Sequence, residues 1–261
     1  MKFKELDRRM REFETSHDRY IPDDVYIVAR IDGRGFSKLT QNITDLQKPY
    51  DSRFNDFMVE TVQHLMQCGF YISYGYCQSD EISLLFSPEN SCFQKKERKF
   101  NSVLAGEASA KFTLLLGDLA SFDCRISELP TIQSVIDYFM WRKTDSYRNC
   151  FNCHSYWYLR GKGHSARKAT SMLDGMSAIA QQNFLRENGI DINTIPSWQK
   201  YGVGMYWEKY QKKAFNPKTN EEVFATRKRL KIDSDLSNSD AYKQLITGFV
   251  KPALETAEAV K

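Results

Sequence analysis

The segment at residues 70–86, FYISYGYCQSDEISLLF, constrains the fold more than any other part of the chain. Two apolar runs rich in β-forming residues flank a short polar tip at residues 78–81, which is typical of a β-hairpin. The tip carries two adjacent carboxylates, Asp80 and Glu81. Like charges in a partly desolvated site repel each other, so a bound divalent cation would stabilise them. A solvated acidic turn is the alternative explanation.

A second acidic motif lies upstream of the hairpin. Residues 25–31, VYIVARI, predict a buried strand, and the sequence DGRGF follows at residues 32–36. The strand delivers Asp32 at its end, and the two glycines let the backbone approach a ligand closely. The N–H groups of this loop are suited to hold phosphate oxygens. An Asp-Gly pair also forms simple turns, so the motif alone leaves both interpretations open.

The flanking segments place these motifs in a recognisable order of elements. Apolar residues at steps of three and four predict helices at residues 2–17, 52–68 and 93–116, and residues 120–127 predict a strand. The order β-α-β-β-α-β predicts an α+β fold with a ferredoxin-type sheet. In that topology the first strand lies beside the central hairpin. We therefore expect Asp32, the Gly33 carbonyl, Asp80 and Glu81 to converge.

Such a convergence predicts a magnesium site. Its ligands are hard oxygen donors without histidine or cysteine, which favours Mg²⁺. Two Mg²⁺ ions about 3.5–4 Å apart would support an in-line phosphoryl or nucleotidyl transfer. The carboxylates are arranged as in a polymerase palm.

The second half of the chain predicts an extension of this core. We expect a helix at residues 131–145, two helices within 165–187, and a hairpin that pairs 203–210 with 221–232 through a turn at 216–219. A last helix is expected at 239–259, with a kink at Pro252. The chain therefore divides into a palm-like catalytic core at 1–130 and a helical and hairpin extension at 131–261, packed as one unit.

Composition limits the classes of protein that fit. A chain of 261 residues with 41% hydrophobic residues can bury a substantial core. The absence of a run of about 18 apolar residues argues against a membrane span. The charged start has no apolar signal segment, and six irregularly spaced cysteines are typical of reduced thiols. These features predict a cytoplasmic protein.

The basic residues are clustered, although the net charge is only +4. Residues 142–168 contain seven Lys or Arg and one acid, and residues 200–231 contain nine and three. Such clusters favour a polyanionic partner, and nucleic acid is the first candidate. A solvated basic face is the alternative.

One cysteine motif suggests a different metal. Cys150 and Cys153 are separated by two residues, which is the spacing of a common pair of zinc ligands, and His154 follows them directly. A zinc site would need a fourth ligand, which only Cys124 or His164 could supply through the tertiary fold. Buried thiols at helical spacing are the favoured explanation.

Several motifs together resemble one family. They are RIDGRGF at 30–36, KPYDSR at 48–53, QSDEISLLF at 78–86, KKERKF at 95–100 and YFMWRKTD at 138–145, and the match continues through 161–187 and 201–209. These segments resemble the tRNA-His guanylyltransferase superfamily. The resemblance implies a nucleotidyltransferase with a polymerase-like palm that adds nucleotides to the 5′ end of tRNA.

The resemblance also implies roles for particular residues. Asp32, Asp80 and Glu81 would be the catalytic acids, and Asp32, Asp80 and the Gly33 carbonyl would hold two Mg²⁺. Nucleoside triphosphates, including ATP and GTP, would contact Asp32, Gly33, Arg34, Gly35, Phe36, Ser37, Lys48, Asp51, Ser79, Asp80, Lys96 and Lys99.

The basic clusters would then contact the tRNA acceptor stem. The residues concerned are Arg142, Lys143, Arg148, Arg160, Lys162, Arg167, Lys168, Lys212, Lys213, Arg227, Lys228 and Arg229. A homotetramer is expected from the same resemblance.

One motif departs from the family pattern. Members dedicated to tRNA-His carry His-Ile-Asn where this chain has Tyr147-Arg148-Asn149. The chain is therefore more similar to the bacterial and archaeal guanylyltransferase-like branch, which repairs truncated tRNA 5′ ends after activation by ATP. A dedicated tRNA-His enzyme, a nucleotide cyclase of the GGDEF type and a non-catalytic RNA-binding protein are the alternatives.

Overall fold

A six-stranded antiparallel sheet forms the centre of the computed structural model, which describes residues 2–43, 45–216, 221–236 and 239–250. The order across the sheet is β4-β1-β3-β2-β5-β6. The strands are β1 (Tyr26–Gly33), β2 (Ile72–Gln78), β3 (Glu81–Phe86), β4 (Phe122–Leu129), β5 (Val203–Asn216) and β6 (Glu221–Asp233).

Helices cover both faces of this sheet. They are α1 (Phe3–Thr15), α2 (Phe36–Asn42), α3 (Ser52–Leu65), α4 (Glu97–Leu116), α5 (Ile132–Gly161), α6 (Ala166–Leu173), α7 (Ala178–Glu187), α8 (Ser197–Tyr201) and α9 (Ser239–Val250). The path β1-α3-β2-β3-α4-β4 with the order β4-β1-β3-β2 confirms the predicted ferredoxin-type α+β core. The short helix α2 was not predicted.

Alternation along the strands produces two hydrophobic cores. On β1, Ile27, Ala29 and Ile31 face α3 and α4, whereas Val28 faces the opposite layer. That opposite layer consists of α5 and α9, which contribute Phe139 and other buried residues. Because side chains alternate along a strand, the even-numbered residues at the end of β1 lie on the α5 side. This alternation determines where the acidic residues point.

Helix α5 is twice as long as predicted. It runs for 30 residues, from Ile132 to Gly161, instead of ending near residue 145. Its interior contains no proline or glycine, and its first turn is stabilised by a capping box between Thr131 and Ser134. Several aromatics that follow residue 145, including Tyr147 and Phe151, belong to this helix and pack against α7 and neighbouring segments.

The predicted helix at 93–116 begins later than expected. Residues 92–95 form a separate short turn in which Phe93, Gln94 and Lys95 have positive φ values of 51–56°. A right-handed α-helix requires negative φ, so α4 starts only at Glu97.

Strands β5 and β6 form a two-stranded ribbon beyond the sheet. Only Val203–Tyr206 of β5 pair with β2, at Tyr74–Cys77. From Trp207 onward, β5 pairs with β6 alone among the described residues. Residues 217–219 of the turn predicted at 216–219 lie outside the described residues, and so does the kink predicted at Pro252. Among the described helices, none is long and apolar enough to cross a bilayer.

Candidate active site

The hairpin tip lies against the end of β1. Ser79 and Asp80 connect β2 to β3, with Ser79 at a φ of 53°. The N–H of Gly33 donates to the Asp80 carbonyl at 3.0 Å, which joins the tip to the residue after Asp32. A Cβ at position 33 would lie 2.5 Å from the Phe36 ring and 2.9 Å from the Asp80 Cβ. Glycine is therefore required for this close approach.

Asp32 and Glu81 are direct partners across β1 and β3. Both occupy the face that α5 covers, and so does Arg30 two residues before Asp32. Arg30 forms ion pairs with Glu81 and, at 3.4 Å, with Asp32. Arg125 on β4 donates to the same Asp32 oxygen at 3.2 Å. The sequence analysis missed both arginines, although a period of two would have placed Arg30 beside Asp32.

Glu81 is held by a buried arginine from α5. Nη1 of Arg142 donates to both carboxylate oxygens of Glu81 at 3.0 Å, and its guanidinium stacks on Trp141 at 3.4 Å from the ring centroid. Arg142 is only 4% exposed. Burial raises the pKa of Glu81, while the charges of Arg142 and Arg30 oppose that rise. Glu81 therefore serves as a partner of arginines in this structure.

Asp80 has the electrostatic properties of a cation ligand. Burial raises the pKa of its carboxyl, and the negative charge of Asp32 raises it further. The Ser79 hydroxyl donates to this carboxyl at 3.2 Å. A positive ion would remove the repulsion between Asp32 and Asp80.

The donor set at this point fits magnesium. Mg²⁺ in nucleotide sites is bound through one or two carboxylates, with substrate phosphates and water completing the octahedron. Asp32, Asp80 and the Gly33 carbonyl supply such a partial set. Among the described residues, no group of three or more His, Cys, Asp or Glu side chains is arranged to hold a metal by itself.

A cavity of about 600 Å³ opens beside these carboxylates. Its walls come from the end of β1, the hairpin tip, the segment at 46–55 and α5. The predicted residues that line it are Asp32, Phe36, Ser37, Lys48, Asp51, Ser79, Asp80, Glu81 and Arg142. The lining also includes Tyr50, Gln78, Asn149, Asn152, Trp157 and Trp198, none of which had been predicted to contact a nucleotide.

The loop at 33–35 contributes less to this cavity than predicted. The N–H of Gly33 is already bound to Asp80, and the N–H of Arg34 donates to the Ser121 carbonyl at 2.8 Å. These two amides are therefore not free to hold a phosphate. Gly35 precedes α2 and has a φ of 74°, a left-handed conformation that favours glycine. The second glycine is therefore explained by the turn into α2.

Two predicted nucleotide contacts have structural partners of their own. Lys48 donates to the Thr40 carbonyl at 3.0 Å and lies 5.5 Å from the centroid of the Trp157 ring. Asp51 caps α3 by accepting from the N–H groups of Arg53 and Phe54. Burial opposes the charged form of Asp51, but its bonds to Gln47 and Arg53 outweigh burial and lower its pKa.

Lys96 and Lys99 lie away from the cavity. Lys96 precedes α4 and donates to Asp18 at 2.7 Å. The other end of α4 leads to Phe122, which pairs with Gly33. Because α4 has 20 residues, its two ends are about 30 Å apart. Within one subunit, the two lysines therefore do not join Asp32 and Asp80 at a single triphosphate.

Two predicted tRNA contacts are not on the surface. Arg142 and Lys143 are both buried, so their assignment to an exposed basic face is wrong. Lys143 lies 4.5 Å from the Tyr242 ring centroid, and burial lowers its pKa. The other ten candidates are exposed or, for Arg160, half-buried.

Within the described part of the chain, the cysteine motif belongs to no group of three or more side chains that could hold a metal. Cys150 is fully buried and Cys153 partly so, and both are free thiols. Burial raises the pKa of Cys150 to about 12 and that of Cys153 to about 11. The expectation of buried thiols is confirmed for Cys150.

Comparison with known families gives a consistent result. A sequence model described as tRNAHis guanylyltransferase matches residues 7–130, and one described as Thg1 C terminal domain matches residues 133–245. The chain is 30% identical over 207 residues to the tRNA(His) guanylyltransferase of Debaryomyces hansenii. That match covers 74% of this chain and 77% of the yeast protein.

Solved structures show the same similarity. A bacterial tRNA(His) guanylyltransferase (Thg1)-like protein in complex with ATP superposes with a TM-score of 0.74, covering 94% of this chain and 99% of that one. The corresponding complex with GTP has a TM-score of 0.71 and covers 94% and 98%. Both are 25% identical to this chain. The carboxylate site lies where the two matched segments meet, and the chain belongs to the tRNA-His guanylyltransferase family of nucleotidyltransferases.

Proposed function

We propose that this protein adds nucleotides in the 3′–5′ direction to the 5′ end of truncated tRNAs, directed by the opposing strand of the acceptor stem. The observation that carries this proposal is the juxtaposition of Asp32 and Asp80 in a cavity large enough for a nucleotide. Membership of the family supports the reaction class. The preference for repair over dedicated tRNA-His addition rests on position 147.

Tyr147 is packed rather than free to select a nucleotide. Its ring stacks on Tyr201 at 5.4 Å with an interplanar angle of 11° and contacts Phe151 edge-on at 4.8 Å. Its hydroxyl accepts from Gln182 at 3.1 Å. The position that holds histidine in the His-Ile-Asn motif is therefore occupied by a packed phenol ring with no imidazole nitrogen. This packing supports the repair branch.

The proposed reaction has two steps. The 5′-monophosphate of the tRNA attacks the α-phosphorus of ATP and releases pyrophosphate, which leaves an adenylylated end. The 3′-hydroxyl of the incoming nucleotide then attacks the tRNA phosphate, and AMP leaves. Positioning and charge neutralisation supply most of the catalysis in such transfers.

Residues of the cavity have separate roles in these steps. Asp32, Asp80 and the Gly33 carbonyl would hold two Mg²⁺, which lower the pKa of an attacking hydroxyl and neutralise phosphate charge. Arg30 and Lys48 would contact phosphate oxygens, because both line the cavity with cationic groups. Glu81 keeps Arg30 in place through their ion pair. Trp157 and Tyr50 offer aromatic faces to a base.

The ribbon of β5 and β6 is the proposed grip on the tRNA backbone. On one face, Lys209 lies directly opposite Lys228, and Lys213 lies opposite Phe224. Like charges facing each other across strands are destabilising without an anion between them. Phosphate groups would supply that anion. Arg229 on the other face is already paired with Glu208 at 2.5 Å.

A labelled-tRNA assay tests the proposal. The protein is incubated with Mg²⁺, ATP, one labelled nucleotide and a 5′-monophosphorylated tRNA lacking its first residue, in parallel with tRNA-His. Label at the 5′ end of the truncated tRNA, matched to the opposing base, is the expected result. Label on tRNA-His alone would favour the dedicated enzyme. A small cyclic product would favour a cyclase, and no product would favour an RNA-binding protein.

A further inference from the structure

The first helix exposes an apolar stripe to solvent. Phe3, Leu6, Met10 and Phe13 are 79%, 37%, 41% and 69% exposed, and no residue of α1 is buried by the described part of the chain. Helices of this length are marginal in water and depend on packing of an amphipathic face. Nothing in the described ranges therefore supplies the 13 residues of α1 with the contact that would normally stabilise them.

The stripe has the spacing of a two-stranded coiled coil. Phe3 and Met10 are seven residues apart, as are Leu6 and Phe13, and the two sets alternate at steps of three and four. They occupy positions a and d of two successive heptads, which form the buried seam of paired helices. The helix measures about 20 Å, so two copies would bury four layers of side chains.

The charges beside the stripe select the partner and its direction. Arg9 occupies a g position, Lys2 is the N-cap residue of α1 at the preceding g position, and Asp7 and Glu14 occupy the e positions. In a parallel pair, each g residue faces the e residue five positions later on the other helix. Lys2 would then meet Asp7 of the second copy, and Arg9 would meet Glu14. In an antiparallel pair, g faces g and e faces e, which brings like charges together.

The balance of charges also argues against a membrane surface. Besides the e and g residues, the polar side carries Lys4, Arg8 and Arg11 against Glu5 and Glu12. Helices that bind anionic lipid surfaces are instead enriched in Lys and Arg. A helix surface that carries nearly equal numbers of acidic and basic residues is instead complementary to a second copy of itself.

We propose that α1 pairs in parallel with α1 of a second copy of this chain, through the a and d stripe and the Lys2–Asp7 and Arg9–Glu14 contacts. This pairing is a contact between two subunits, and it does not depend on the reaction proposed above. It is isologous, so each contact occurs twice about the two-fold axis.

Charge reversal tests both the pairing and its direction. The acidic variant K2E/R9E places acids at all e and g positions and leaves the helical Asp7–Arg11 bond at 2.9 Å intact. The basic variant D7K/E14K places Lys or Arg at all e and g positions. The variant with all four substitutions exchanges the two signs and recreates every contact. Sedimentation velocity of the full chain over a wide concentration range measures the mass of each.

The expected masses differ between the variants. Each half-reversed variant should sediment at half the wild-type mass, or at the 30.4 kDa monomer if this contact alone forms the assembly. The fourfold variant, and an equimolar mixture of the two half-reversed variants, should regain the wild-type mass. Near-UV circular dichroism checks that each variant is folded.

Several results would overturn the proposal. A folded half-reversed variant that keeps the wild-type mass would show that these charges do not pair. A wild-type chain that is monomeric at all concentrations would show that α1 has another partner. A folded fourfold variant that stays at the reduced mass would exclude the parallel arrangement.

Discussion

Nη1 of Arg142 lies 3.0 Å from both carboxylate oxygens of Glu81, although the two residues are 61 positions apart. One belongs to the hairpin tip of the sheet and the other to α5. The contact therefore links the carboxylate site to the second half of the chain. It also gives Glu81, which lines the cavity beside Asp32 and Asp80, a fixed partner on α5.

Replacing Arg142 should destabilise the protein. In Arg142→Met, Glu81 loses the two bonds from Arg142 and, among the described residues, keeps Arg30 as its one ionic partner, so the substitution should cost about 2 kcal/mol. Urea unfolding measures the change in free energy. Arg148→Met, on the exposed side of the same helix, is the matched control and should change stability by less than about 0.5 kcal/mol.

A double-mutant cycle separates the pair from other effects of the substitution. Adding Glu81→Gln to Arg142→Met should recover part of the lost stability, because the buried charge is removed together with its partner. Additive losses from the two single substitutions would show that the residues are not coupled.

Removing the Asp80 carboxylate should separate stability from activity. Without metal, Asp80→Asn should be more stable than the wild type, because its burial and the charge of Asp32 disfavour the ionised form. Mg²⁺ should raise the melting temperature of the wild type but not of Asp80→Asn. Loss of several kcal/mol of transition-state stabilisation should lower nucleotide addition roughly a thousandfold.

The matched control for Asp80 is Asp123→Asn. This exposed carboxylate lies opposite Asp32 on β4 but does not line the cavity. It should keep both the response to Mg²⁺ and most of the activity. An Asp80→Asn protein that retains near-normal turnover would contradict the assignment of the metal site.

The ribbon should contribute salt-dependent affinity for tRNA. In the double variant K209Q/K228Q, two phosphate contacts are lost, so the slope of log affinity against log salt should fall by about 2. The ribbon itself should not lose stability, because a like-charged pair is removed. Lys212→Gln on the opposite face should have a smaller effect on affinity. An unchanged slope in the double variant would exclude this face.

His154 should make stability depend on pH. Its Nε2 lies 3.0 Å from the Gln199 side-chain oxygen, and burial lowers its pKa despite that bond. The unfolded state therefore binds a proton more readily than the folded state as the pH falls through about 6.5. The free energy of unfolding should decrease as the pH falls through about 6.5 and then level off once the pH is below the pKa of His154 in the folded state.

The His154→Gln variant tests this dependence. It retains a neutral donor opposite Gln199, so the part of the pH slope that comes from His154 should disappear. His17→Gln replaces an exposed histidine and should leave the slope as in the wild type. Equal slopes in the wild type and His154→Gln would contradict the prediction.

The sheet and its acidic centre were accessible from sequence because both depend on local patterns. Short apolar runs rich in β-forming residues at 25–31 and 70–86 predict the strands, and the order of the elements predicts that Asp32 and the hairpin tip are neighbours. Arg142 was misassigned because arginine is usually exposed, and its burial depends on Glu81, a contact with no local signature. The predicted end of this helix, near residue 145, was too early. The polar residues that follow were not recognised as part of the same helix, which continues to Gly161.

Helix α5 sets a constant length between two parts of the molecule. Arg142, at the carboxylate site, and Arg160, near the distal end, are 18 residues apart on one uninterrupted helix. At 1.5 Å per residue, this corresponds to about 27 Å along the axis. A nucleic-acid strand whose end lies in the cavity and whose backbone phosphate is bound at Arg160 would therefore be held at two points a fixed distance apart. The helix alone sets that distance, so it does not depend on the conformation of any loop.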